Sequence, residues 1–127
     1  GKNLIITSSR KDALMIKSLF PSDFITACSL QSEGVNAKES VVNELKGRFK
    51  EIFVMYDNDF DNAKNPGRNA GQKLCDKTGF LQIEIPDGCE VKDPSDYAHV
   101  FNREDLRNLI LRLIKERLRQ EELKQIQ

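Results

Sequence analysis

Asp57, Asp59 and Asp61 alternate with Asn58 and Phe60 in the stretch VMYDNDFD, directly behind an apolar, β-rich run. Carboxylates this close repel one another unless a cation or a proton intervenes. Mg²⁺ is typically held by one or two carboxylates, with water and substrate phosphate completing its shell. The cluster therefore has two readings: a divalent-cation site where a strand ends, or a solvated turn, because acidic residues also favour turns. A calcium loop of the EF-hand type matches only at its start. Its sixth position needs glycine and its twelfth a bidentate glutamate, where this chain has Asn62 and Arg68. A receiver-type phosphoacceptor needs acidic residues just after the first strand, where the chain has Thr7, Ser8 and Ser9.

A second acidic group lies in IPDGCEVKDPSDY, residues 85–97. Asp93 or Asp96 can approach Asp57 and Asp59 if both loops leave the same edge of a sheet. Lys92 beside Asp93 offers a phosphate contact, and Pro94 stiffens the loop. Read alone, KDPSD is a turn leading to a helix cap at Ser95. Arg10, Lys11 and Arg68 flank the proposed site and read either as phosphate contacts or as ordinary surface charges.

The elements that must position these groups follow from periodicity. NLIIT (3–7) reads as a strand, and SSRKDALMIKSLF switches to helical spacing, with Ser9 as N-cap and Asp12 three residues on. FITAC (24–28) is a second strand. Asn36 with Glu39 predicts a cap for a helix whose inner face is Val42, Leu45 and Phe49. EIFVMY (51–56) is a third strand, NAKNPGRN a loop, Ala70 to Thr78 a helix stopped by Gly79, and LQIEI (81–85) a fourth strand. Strands alternating with helices imply an α/β fold, a four-stranded mostly parallel sheet with helices on both faces. Ligands of such sheets bind beyond the carboxyl ends of the strands. From Asn102, a cap, one long helix carries the stripe Leu106, Leu109, Ile110, Leu113, Ile114 and Leu118, then a polar tail. Two segments are expected: 1–101, which carries the acidic motifs, and 102–127, an amphipathic helix leading toward a further domain.

The 127 residues suffice for one domain with a real core. Twenty basic residues balance twenty acidic ones, so no global field announces a nucleic-acid or membrane partner. Cys28, Cys75 and Cys89 are odd in number and widely spaced, which argues against a disulfide framework or zinc knuckle and fits a reducing, cytosolic setting. No apolar run approaches the about 18 residues of a membrane span. A strand-like segment follows Gly1 almost at once, which predicts a domain of a longer protein. No G-x-x-x-x-G-K-[ST] loop occurs, so P-loop nucleotide binding is not expected. His99, the single histidine, reads as structural.

The order of these pieces resembles the Toprim domain, the metal-binding catalytic fold shared by DNA primases, topoisomerases and some nucleases. The likeness rests on IITSSRKDAL (5–14), YDNDFD (56–61), PGRNAGQKL (66–74) and IPDGCEVKDPSDY (85–97), and is closest to phage primase and primase-helicase sequences. It implies a Toprim-like, Rossmann-like fold in which residues 1–101 are catalytic, Asp57 and Asp59 match the D-x-D metal ligands, and Asp93 matches the acidic residue of the last motif. One departure stands out. The family carries E-G-x-x-D-A after its first strand, whereas this chain reads Ser8-Ser9-Arg10-Lys11-Asp12-Ala13, with Ser8 in the glutamate's place. Glu33, on the loop after the second strand, is either a stand-in for that carboxylate or a solvent-exposed loop residue.

The resemblance further implies nucleotidyl transfer for primer synthesis in DNA replication, with Mg²⁺, or Mn²⁺ as its substitute, on Asp57, Asp59 and Asp93. Glu33 is then the candidate acid, base or orienting group, and Lys92, Lys11 and Arg68 meet phosphate. The implied partners are a single-stranded DNA template, ribonucleotides, and other domains of a parent replication protein, a helicase among them. The implied setting is the cytoplasm of a bacterial cell, with a phage origin. The rival reading is a Toprim-like module that lost its glutamate and only binds nucleic acid or a replication partner.

Overall fold

The computed structural model describes residues 2–22, 24–30 and 38–126. The chain alternates β1 (Asn3–Thr7), α1 (Arg10–Leu19), β2 (Ile25–Ser29), α2 (Glu39–Arg48), β3 (Glu51–Met55), α3 (Pro66–Thr78) and β4 (Leu81–Gln82). A 3₁₀ turn (Asp87–Cys89), α4 (Pro94–Val100) and α5 (Arg103–Ile126) follow. The four strands form one sheet in the order β2-β1-β3-β4, with every pair parallel. It is an α/β, Rossmann-like fold with a long C-terminal helix, and its sheet is wholly rather than mostly parallel.

Period-two alternation divides the core. Ile5, Ala27, Phe53 and Met55 face α1, α4 and α5, while Leu4, Ile6, Val54 and Tyr56 face α2 and α3. Right-handed crossovers explain the split. The chain leaves β1 for β2 in one direction through α1, then returns past β1 to β3 through α2, so the two helices cover opposite faces. This reversal puts a topological switch point between β1 and β3, whose carboxyl ends are where ligands of such sheets bind.

Local signals account for most boundaries. Ser9 caps α1 by accepting the Asp12 N–H at 3.2 Å, and Asn102 accepts the Asp105 N–H at 2.7 Å at the start of α5. Gly79 takes a left-handed φ of 83° at the end of α3, a conformation that costs glycine least. Several expectations need correction. The segment expected as a loop holds the first turn of α3: Asn65 caps it through the Arg68 N–H, and Pro66 supplies the pre-set φ of a first helical position. The strand expected over 81–85 ends at Gln82; Ile83 still donates to Val54, but the Ile85 carbonyl is taken by the Asn58 side chain. Asp93, not Ser95, caps α4. The expected cap Asn36 lies outside the described residues, and α2 begins after Lys38 with no side-chain cap.

The stripe of α5 packs as expected: Leu106, Leu109, Ile110 and Ile114 are buried against the sheet, with Leu113 and Leu118 beside them. The tail beyond Leu118 is largely exposed, Leu123 at 53% and Ile126 at 80%. No described helix is long and apolar enough to cross a membrane.

Candidate metal centre

Three carboxylates from three separate elements meet at the switch point. Asp57 follows β3 after one intervening residue, Asp12 sits at the third position of α1, and Asp93 caps α4. Among the described residues, one oxygen from each of these three lies within 4.8 Å of the other two. Asp12 is only 1% exposed, and an unpaired carboxylate there would be costly. It is paired: Ser95 donates its N–H (3.1 Å) and hydroxyl (2.7 Å) to Oδ1, and the Ser9 hydroxyl donates to Oδ2 at 2.9 Å. Asp93 accepts the Asp96 N–H at 2.8 Å. Both acids thus lie at helix N-termini, where the backbone favours negative charge.

Asp57 has less compensation. The Ser8 hydroxyl donates to its Oδ1 at 2.9 Å from the loop after β1. Burial pushes the Asp57 carboxyl up to about 6, against the lowering effect of that bond and with the neighbouring charges of Asp12, Asp93 and Asp59 adding to the rise. Burial likewise raises Asp93, opposed by the Asp96 N–H and reinforced by Asp12. Lys11 stands 3.9 Å from Asp93 but is largely exposed, and ion pairs of that kind contribute little. A site with this much uncompensated negative charge favours a proton or a cation. Hard carboxylate oxygens with no thiolate or imidazole among them suit Mg²⁺ or Mn²⁺. Each carboxylate accepts about four hydrogen bonds, so the existing bonds leave lone pairs for a metal.

The other expected site residues are placed differently. Asp59 lies outside the group of three: its Oδ2 accepts the Gly67 N–H at 2.8 Å and its own N–H reaches Asn65 Oδ1 at 2.8 Å. It turns toward the start of α3 and, with Asp61 and Lys92, lines an open groove beside the cluster. Lys92 is held by Asp61 at 3.2 Å. Arg68 is committed twice, with Nε 2.7 Å from Glu84 and Nη2 2.6 Å from Asp87. Glu33 lies outside the described residues, and Asp96 is exposed on α4.

Sequence reasoning placed Asp12 three residues after the Ser9 cap and within the E-G-x-x-D-A stretch, but not among the site residues. The signal for more was its place one turn into the helix after β1, at the sheet edge that carries Asp57. Asn58, fully buried at the centre of D-N-D, was given no role there either. Compared with family models, curated proteins and solved structures, the chain matches none of them.

Proposed function

We propose that the chain is a Toprim-type domain that binds Mg²⁺ through Asp12, Asp57 and Asp93 and serves nucleotidyl transfer in a phage-type DNA primase. The observation that carries this reading is the convergence of these carboxylates at the switch point of a parallel α/β sheet. It departs from the motif-based ligand set by including Asp12 and by giving Asp59 a place beside the metal rather than on it. A divalent ion in this position would neutralise charge on a transferring phosphoryl group.

The chain's own residues divide the remaining work. Asp12 is held rigidly by Ser9 and Ser95, so one ligand is fixed before a metal arrives. Ser8 orients Asp57. Lys92 and Lys11 stand at the rim, each on a weak ion pair that an arriving phosphate can replace. Arg68 pairs with Glu84 and Asp87 and braces the loop beside the site. The substrates are ribonucleotides on a single-stranded DNA template, and the working context is the bacterial cytoplasm beside a helicase or other replication domains. A second reading follows from Ser8, which brings a hydroxyl where the family brings a carboxylate: the domain binds a cation and nucleic acid without turnover.

Mn²⁺ titration followed by amide NMR tests the site. Paramagnetic broadening is expected around residues 8–12, 57–59 and 92–96, with affinity at least tenfold weaker in Asp57→Asn and in Asp93→Asn. No local broadening at millimolar Mn²⁺ would remove the proposal. Mg²⁺-dependent primer synthesis on single-stranded DNA then separates the readings, because binding without synthesis selects the second.

A further inference from the structure

We infer that Asn58 is the positioning residue of this cation site, setting how closely the loop of Asp57 approaches the loop of Asp93. The consequence for a cation rests on the proposed function; the geometry does not. Asn58 is 0% exposed, and its backbone N–H and both ends of its side-chain carboxamide bond to other segments of the chain. Its backbone N–H donates to the Lys92 carbonyl at 2.7 Å, so the residue after Asp57 is tied to the residue before Asp93. Its side-chain amide donates to the Ile85 carbonyl at 2.6 Å and to Asp87 Oδ1 at 2.8 Å, which anchors the segment after β4. Its side-chain oxygen accepts from Asn65 Nδ2 at 2.7 Å and from Arg68 Nη2 at 3.4 Å, which anchors the start of α3.

Only a carboxamide of this length fits. Aspartate would set an acceptor against the Ile85 carbonyl and the Asp87 carboxylate, and an apolar residue would strand the buried groups that face it. The described side chains leave no buried polar atom unpaired, so the network has no slack. The bonds of the Asn58 side chain go to Ile85, Asp87, Asn65 and Arg68 and not to Asp12 or Asp93. Its influence on a bound cation therefore passes through the spacing of the loops, as a second layer of contacts orients metal ligands.

The test compares Asn58→Ala with Ile114→Ala, a core change on α5 brought to the same melting temperature by choice of conditions. Asn58→Ser, whose hydroxyl is too short to reach Ile85, replaces the alanine variant if that fails to fold. Without metal, hydrogen exchange at the Ser95 and Asp96 N–H groups, which bond to Asp12 and Asp93, is expected to accelerate at least tenfold more in the Asn58 variant. With metal, its Mn²⁺ affinity is expected to fall at least tenfold, with Ile114→Ala unchanged. Equal exchange in the two variants, or faster exchange with undiminished Mn²⁺ affinity, would overturn the inference. If the unaltered protein binds no Mn²⁺, the cation reading fails by itself, and the exchange result alone decides whether Asn58 sets the spacing.

Discussion

Asp57 stores a conflict that stability measurements can expose. Its carboxyl rises from an ordinary 3.8 to about 6, chiefly through burial, so the folded chain holds the proton more tightly than the unfolded one. By linkage, the stability Asp57 contributes is fully present below about pH 3.8 and is lost as pH rises through about 6. Asp93 is raised in the same sense. At pH 7 without metal, Asp57→Asn is therefore expected to stabilise the protein. A shift of about two units corresponds to about 3 kcal/mol, which solvent screening of a half-buried group reduces to roughly 1 kcal/mol. Urea denaturation in chelator at pH 4 and pH 7 checks this: the gain should appear at the higher pH and shrink at the lower one. If Asp57 holds Mg²⁺ as proposed, adding it should reverse the ranking, because only the unaltered site would gain binding energy. No gain at pH 7 would mean that the carboxylates are better solvated than their geometry implies. At this scale Asp57 was legible because it directly follows an apolar run. Asp12 was not, since an aspartate three residues after a serine equally belongs to a helix N-terminus, and only the fold brings it to Asp57.

The loop from β3 into α3 shows how one element is held by another. Gly67 lies so close to the Asp57 backbone that an added Cβ would overlap the Asp57 carbonyl oxygen and come within 2.9 Å of Asp59 Oδ2. Gly67→Ala should therefore cost about 1–3 kcal/mol by displacing the loop, and weaken Mn²⁺ binding with it. Gly47, within α2, has nothing within 4 Å of such a Cβ, and Gly47→Ala should stabilise by about 0.5–1 kcal/mol through helix propensity. Thermal unfolding of the two variants should move in opposite directions; a stabilised Gly67→Ala would contradict the close packing. The sequence hid this arrangement because Asn-Pro-Gly reads as a turn. Asn65 does adopt a left-handed φ of 39°, so the turn signal was real, but the proline after it opens a helix. β4 was overextended for a related reason. LQIEI has a strand's composition, yet past Ile83 its backbone partner is a side chain, Asn58, which no local pattern announces.

Across the whole molecule, the α/β layering was readable because it depends on repeated local signals, strand then helix, and on the handedness of crossovers. The convergence of the loops was not, because it rests on single long-range bonds such as Asn58 to Ile85 and Ser95 to Asp12. The same division predicts where stability resides. Ile110 is fully buried among α1, α5 and the sheet, so Ile110→Ala should cost about 2–5 kcal/mol through lost burial and the cavity left behind. Removing residues 120–127 takes away mostly exposed side chains and the Arg117–Glu121 ion pair at 2.7 Å, and should change stability by no more than about 0.5 kcal/mol. Urea midpoints with unchanged slopes check both. A large loss on removing the tail would show that the groove lined by Leu118, Glu121 and Gln125 on α5 together with Phe49 and Leu81 contributes to the core. A negligible loss leaves the tail free to serve another contact, and the carboxylate cluster, built on α1, α4 and the loop after β3, should bind Mn²⁺ as before.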